Sequence, residues 1–549
     1  MYEVDMKEVL IIGGGISGMT CALSCARQGV HVKLISPQPS EWSQSVMAAG
    51  GINAVTADHE EGDSIESHIE DTLKGGSFLG GKNSVYGLCS HAEKIIRYLE
   101  RIGAVFTIND NGRPVFRAFG GQTHKRTYFC GSSTGKQIVS ALIMEIRRFE
   151  AAGLISRSLI HYFRSALIMD GTCYGALLFN KHTRTLEPVF SDAVVMAVGG
   201  QNALFGKTTG STQCDGYAVG RLFLQGAVLK NLEFIQYHPT TIETVQKRML
   251  ISEAVRGEGG RLFYLENGKR IYFMENKYGP NGNLMTRDVI SREIDSLNRD
   301  VFLDISFKDQ KLIEARLEEV RDLCAKFRGI DITKEPIPVA PSVHFFMGGL
   351  AVHLNHETNI RNLYGVGECA SMYHGANRLG GNSLLSALYS AGVAGEDIAE
   401  RSFEGKRPDF TRTVELEQEN LRTMQESKSP FASMHIRDLL GEIMSKSMGI
   451  VRTEDCLNQG IRDVDFYLSV AERIQYDASV SDYSNYSLQG MLTLARAVLT
   501  CARARKESRG AHYRSDYPKA SKDFDFATLI TYENGTYRVE LDKEKFYEN

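Results

Sequence analysis

The stretch EVLII at residues 8–12 runs directly into GGGISGMTCALSCARQG, and this junction restricts the fold more than any other part of the chain. Four consecutive aliphatic side chains suit a strand buried on both faces of a parallel sheet, and the apolar positions after the glycines recur at helical spacing. The following run, HVKLIS at 31–36, completes a βαβ unit. Gly13, Gly15 and Gly18 then stand where backbone must approach a pyrophosphate lying over a helix N-terminus. An isolated GxGxxG is weak evidence, but between a buried strand and a helix it predicts a dinucleotide-binding domain.

Later segments extend that domain. GTCYGALLFNKHTRTLEPVFSDAVVMAVGG reads as a hairpin of apolar strands ending in a glycine pair, and NLYGVGECA repeats strand-then-glycine near residue 365. The nucleotide domain is therefore discontinuous, at 1–235 and 351–412, around an inserted block at 236–350 rich in Arg, Glu and Gly. From residue 413 to 515 the chain turns to amphipathic runs, such as the one with Leu488, Leu492, Ala495 and Leu499 on one face, which predict a helical domain. A short tail at 516–549 carries Asn534-Gly535 between alternating apolar residues, the signal of a two-residue hairpin.

With 549 residues the chain has room for three or four domain-sized cores. Lys+Arg 63 against Asp+Glu 67 gives a net charge of −4, which argues against nucleic acid or an anionic membrane as a partner. The start, MYEVDMKEVLIIGGG, leaves no room for a cationic leader and cleavage site, and no apolar run reaches bilayer-spanning length, so a cytoplasmic protein is expected. The ten cysteines are scattered without CxxC or ferredoxin-like spacing, so no iron–sulfur centre, haem or other metal site is expected in this chain. Buried, reduced thiols are the expectation.

The inserted block carries QYHPTT, LISEAVRGEGG, LMTRDVISRE and PSVHFFMGGL, and HGANRLGGNSLL follows it. These stretches supply His238, His344, Arg256, Arg287 and Arg378, several beside Gly or Pro in loops that present side chains. Cations converging on one cavity suit a small dianionic substrate, because guanidinium forks grip carboxylates bidentately. A structural ion pair is the plain alternative for each arginine.

With DSIESHIEDTLKGG, RAFGGQT, YHPT, SEAVRGEGG, TRDVISR, HFFMGGL, GVGECA, HGANRLGGNSLL, GIVR and ESRGAHYRSDYP arriving in this order, the chain resembles the flavoprotein subunit of succinate dehydrogenase and fumarate reductase, a family that includes L-aspartate oxidase. The resemblance runs from the first strand to about residue 518. It implies an α/β FAD-binding Rossmann-like domain with an inserted α+β capping domain, then a helical domain and a short C-terminal tail.

The resemblance also implies roles. His238, Ser252, His344 and Arg378 would hold the two carboxylates of a C4-dicarboxylate, Ser252 standing for a more usual threonine. Arg287 would donate the proton while hydride leaves flavin N5, with Glu253 and Arg256 relaying protons to it. Phe119 occupies the position where L-aspartate oxidases carry a glutamate; an aromatic ring cannot pair with an ammonium, which counts against an amino-acid substrate. Ser36, Ser43, Gly50, Gly51, Asp215, Glu368, Ser383 and Leu384 would join the three motif glycines around FAD.

Gln44, in WSQSVMAAGG, stands where the family carries the histidine bonded covalently to the flavin, and Ala49 replaces a usual Gln or Glu. A carboxamide cannot form that link, so FAD is expected to be non-covalent. In the family the bond raises the flavin potential, so its loss favours fumarate reduction; L-aspartate oxidase also binds FAD without it, and Gln44 can equally reflect lineage. A non-catalytic flavoprotein subunit is the reading from another class. A separate iron–sulfur subunit is the expected electron partner, with membrane contact only through partner subunits.

Overall fold

The computed structural model describes residues 7–131, 133–403, 407–427, 432–471 and 480–547. Residues 1–6, part of the stretch read for a targeting segment, lie outside the described residues. Strand Glu8–Ile12 is central in a five-stranded parallel sheet, flanked by His31–Ile35 and Ala193–Met196, with Ile155–Ser158 and Leu363–Gly365 at the edges. Val9, Leu10, Ile11 and Ile12 are all buried, as a strand covered on both faces requires. Helices Ile16–Ala26, Thr134–Ala151 and Asn382–Glu400 contribute to the same core, and the antiparallel sheet His161–Met169, Thr172–Asn180, Thr185–Phe190 adjoins it. The edge strand Leu363–Gly365 returns to this sheet only after the inserted segment.

That segment forms a six-stranded sheet in the order Arg248–Leu250, Ile235–Glu243, Ile337–Phe346, Val301–Asp304, Arg261–Glu266, Lys269–Ile271, every pairing antiparallel. Ile251, Leu262, Ile290, Leu303 and Ile337 belong to a hydrophobic cluster separate from the main core, which makes the insert an α+β unit in its own right.

Helices Thr411–Glu426, Ser433–Ser447, Glu454–Ala471 and Leu488–Ala504 form the helical region. The expected one-sided burial of Leu488–Ala504 is corrected: Met491, Leu494, Val498 and Cys501 are buried as fully as Leu488, Leu492, Ala495 and Leu499. This helix packs on both the neighbouring helix Glu454–Ala471 and helix Tyr217–Leu224 of the nucleotide domain, so little of its apolar surface meets water. Eight of the ten cysteines are buried, while Cys130 and Cys456 are half-buried. No described helix is long and apolar enough to cross a membrane.

Asn534 and Gly535, at φ 49° and 80°, turn strand Thr528–Glu533 into Thr536–Leu541. The hairpin is no loose tail, since Thr528–Glu533 pairs with Leu229–Lys230 and extends a five-stranded sheet. Arg505 fixes it in place, donating to Glu233 Oε1 at 2.5 Å, to Glu507 Oε1 at 2.9 Å and to the Phe526 carbonyl at 2.8 Å. A second buried ionic knot has Arg126 clasping Asp63 at 2.7 and 3.0 Å and Asp71 at 2.6 Å. Bidentate geometry offsets the desolvation of these charges, and the motif DSIESHIEDTLKGG thereby braces the loop that carries Phe119.

Candidate active site

A cavity of 820 Å³ follows the C-terminal ends of the parallel strands and continues between the nucleotide domain and the insert. Gly13, Gly15, Ser36, Ser43, Gln44, Gly50 and Gly51 line it, as do Asp215, Glu368, Ser383 and Leu384. Gly18 does not. A Cβ there would sit 1.8 Å from the Gly13 carbonyl oxygen, so this third glycine serves helix–turn packing rather than a ligand. Gly13 itself, at φ 117°, has the Ala197 carbonyl 2.1 Å from where its Cβ would be, leaving no room for any side chain.

These residues fit a flavin dinucleotide. Gln44 Oε1 is buried and has no hydrogen-bond partner among the described residues, although it belongs to the cavity wall. The Ser36 hydroxyl donates to the Gln38 carbonyl at 2.7 Å and shapes its own turn. Asp215 Oδ1 accepts from the Tyr217 N–H and the Tyr483 hydroxyl, both at 3.0 Å. Burial pushes the Glu368 carboxyl up to about 7, even though the Phe346 N–H donates to it at 3.1 Å.

Where the cavity meets the insert, four cationic or imidazole groups gather. Pro239 carries no N–H, and the pairing of Ile235–Glu243 with Ile337–Phe346 shifts register between Gln236 and Tyr237 and between His238 and Thr241. The irregular strand brings His238 within 5.2 Å of His344, ring centre to ring centre. His344, Ser252, Arg287 and Arg378 line the cavity; His238 lies behind His344. Phe119 is also set back, its ring 3.1 Å from the Cβ position of Gly50 and its Cβ 3.1 Å from that of Gly380. It supports the cavity-lining Gly50, and Gly380 next to the cavity-lining Gly381, by packing.

Arg287, at the start of helix Arg287–Leu297, donates to Glu253 Oε2 at 2.8 Å and to Gln236 Oε1 at 3.0 Å. Arg378 reaches the same Gln236 oxygen at 3.0 Å, and its guanidinium lies 4.5 Å from the centre of the Phe345 ring. Glu253 Oε1 accepts from the Gly120 N–H at 2.8 Å and faces Arg256 at 3.5 Å. The three residues of the expected relay are thus in contact.

Burial would push Glu253 up, but Arg287 and Arg256 outweigh it and hold the carboxyl at about 2. Arg378 is driven well below the ordinary guanidinium range by burial and then by Arg287, and Arg256 is lowered for the same two reasons. Burial, reinforced by Arg287, keeps His238 and His344 neutral. Burial likewise lowers His68 and His356 to about 4 and His374 to about 3, and it holds His512 well below the ordinary imidazole range. The unfolded chain protonates all six below 6.5 while the folded protein does not, so each costs about 1.4 kcal/mol of stability per pH unit of acidification below that value, until its folded pKa is reached. Four raised carboxyls, Glu368, Asp215, Asp288 and Asp295, act in the opposite sense. The histidines outnumber them, so the denaturant midpoint falls from pH 6.5 to pH 5; a constant or rising midpoint over that window contradicts this balance.

Gln236 and Asn377 were not legible as site residues. The Gln236 amide donates to Asn377 Oδ1 and the Arg378 carbonyl, both at 2.7 Å, and Asn377 donates to Asp288 Oδ1 at 2.8 Å. Adjacency to YHPTT and to Arg378 was the one available signal.

A model of an FAD binding domain matches residues 8–384, and a model of the fumarate reductase flavoprotein C-terminal region matches residues 437–548. The succinate dehydrogenase flavoprotein subunit of Bacillus subtilis is 37% identical over 95% of this chain and 93% of its own length. An L-aspartate oxidase of Pseudomonas aeruginosa is 32% identical over 94% and 97%. The quinol fumarate reductase flavoprotein of E. coli superposes with a TM-score of 0.87 at 28% identity, covering 98% of this chain and 97% of that one. The chain belongs to the succinate dehydrogenase and fumarate reductase flavoprotein family, and its cofactor is FAD.

Proposed function

We propose that this flavoprotein interconverts fumarate and succinate, with FAD bound non-covalently, and runs toward fumarate reduction. The observation that carries the reading is the joining of Arg287 and Arg378 through Gln236 in one cavity wall, with Glu253 directly behind Arg287. The shared Gln236 oxygen sets Arg378 to grip a carboxylate and holds Arg287 beside it, facing a carbon of the same small substrate.

Bound FAD supplies the hydride. Arg378 and His344 take one carboxylate of the substrate and Ser252 the other, while His238 supports His344 from behind. A neutral imidazole hydrogen-bonds a carboxylate without adding charge to a site already crowded with arginines. Arg287 delivers a proton to the substrate carbon opposite the hydride. Glu253, bonded to Arg287 at 2.8 Å, returns a proton to it from outside together with Arg256. Phe119 contributes shape. The electron partner in this reading is a separate iron–sulfur subunit, because relatives are named as subunits and the ten cysteines here have no cluster spacing.

L-aspartate oxidase activity is the competing enzyme reading, and Phe119 opposes it: the ring is 3% exposed and offers no carboxylate to an ammonium. Two assays of the purified protein separate the readings. Reduced viologen is oxidised on adding fumarate, whereas L-aspartate with oxygen yields no peroxide. Peroxide from aspartate without fumarate-dependent viologen oxidation overturns the proposal.

A further inference from the structure

The cofactor cavity has a wall that lies outside the stretch matching the FAD binding domain. Met434, Arg437, Tyr483 and Ser484 line it, on or beside helices Ser433–Ser447 and Asp482–Tyr486 of the C-terminal region. The Tyr483 hydroxyl donates to Asp215 Oδ1 at 3.0 Å, and its ring stacks on Tyr162 at 4.6 Å and 21°. Asp215 and Tyr162 both line the cavity from the nucleotide-domain side. Tyr483 therefore spans the cavity wall and ties two regions of the chain together there.

Two contacts hold the short helix in place. Arg184, in the turn before strand Thr185–Phe190, clasps Asp482 at 2.8 and 3.0 Å. Arg437 donates to the Ser484 carbonyl at 3.2 Å and reaches within 4.0 Å of Asp215 Oδ2.

The position of Tyr162 tells which half of the cofactor this wall faces. The Ser36 N–H donates to the Ser158 carbonyl at 2.9 Å, and the Ser158 hydroxyl bonds His161 Nδ1 at 2.7 Å; Tyr162 is the next residue. Ser36 follows the second strand of the βαβ unit, the place where such domains take the ribose of the adenosine half. Tyr162 and the Tyr483 stacked on it belong to that end of the cavity.

We propose that Tyr483 is a cofactor-retaining residue, closing the adenosine end of the FAD cavity from the C-terminal region through its stack on Tyr162 and its hydrogen bond to Asp215. The inference rests on FAD being non-covalent, since a covalent flavin cannot leave whatever this wall does. Retention of FAD then depends on the C-terminal region as well as on the nucleotide domain.

The test uses the full-length holoprotein. Acid precipitation comes first and releases all the yellow chromophore into the supernatant; flavin remaining on the precipitate overturns the non-covalent reading and this inference together. FAD release from native protein, followed by the fluorescence of freed FAD, is then about tenfold faster in Tyr483→Ala, which loses the aromatic pair and the hydrogen bond. Tyr483→Phe keeps the ring and speeds release about threefold. FMN lacks the adenosine half, so its affinity for the apoprotein is the same in wild type and Tyr483→Ala. If the alanine variant does not fold, Tyr483→Leu and Asp482→Asn carry the test. With all flavin released by acid, an unchanged FAD release rate overturns the role of Tyr483 alone. Equal weakening of FAD and FMN does so too, because it marks general loosening rather than a grip on adenosine.

Discussion

Arg287→Ala loses fumarate turnover by about a hundred- to ten-thousand-fold, the range that a positioned proton donor contributes. Dicarboxylate binding survives, because removing this guanidinium leaves Gln236 Oε1 still accepting from Arg378 at 3.0 Å and leaves His238, Ser252 and His344 unaltered. Glu253 stays paired with Arg256 at 3.5 Å, so no buried carboxylate is stranded. Arg287→Lys fails as well: an ammonium cannot bond Glu253 and Gln236 with the same fork. Malonate titrated against the flavin absorbance reports binding, and single-turnover reoxidation by fumarate reports chemistry. A variant that keeps most of its kcat removes Arg287 from the mechanism, and one that loses binding and turnover in parallel makes it a carboxylate clamp instead.

The parallel sheet was legible because its central strand is aliphatic on both faces and ends in a glycine turn, a pattern that local chemistry imposes wherever it occurs. The insert was legible only as a change of composition. Its sheet depends on the pairing of Ile235–Glu243 with Ile337–Phe346, about a hundred residues apart, and on bulges around Pro239 that no periodicity announces. Leu488–Ala504 shows the same limit from the other side. Its polar-looking face, with Thr493 and Thr500 among the buried residues, is covered by neighbours that sequence alone does not place.

The candidate site divides in a similar way. Arginines and histidines beside glycine and proline announce themselves, since such residues are costly to bury without a purpose. Gln236 does not, because its importance lies in one oxygen shared by two guanidinium groups 51 and 142 residues away in the chain. Tyr483 is equally silent: its partners Tyr162 and Asp215 come from a different region, and a tyrosine in SDYSNY has no local pattern to mark it. Motifs also mislead about purpose. Asp63 and Asp71 in DSIESHIEDTLKGG, and Glu507 in ESRGAHYRSDYP, are spent on the buried arginines Arg126 and Arg505 rather than on substrate.

Gln44 bears on the direction of the reaction. Its carboxamide lines the cavity, and the proposed direction rests on FAD being held there without a covalent link and so at a lower potential than a linked flavin. For a two-electron couple about 30 mV changes the equilibrium tenfold, enough to separate the two directions clearly. Gln44→His is a poor test, since attachment also depends on surrounding residues and on partners. The direct test is made on the unmodified protein, by comparing fumarate reduction by reduced viologen with succinate oxidation by a dye acceptor at the same pH and temperature. Fumarate reduction is faster by about tenfold or more; succinate oxidation that equals or exceeds it contradicts the account.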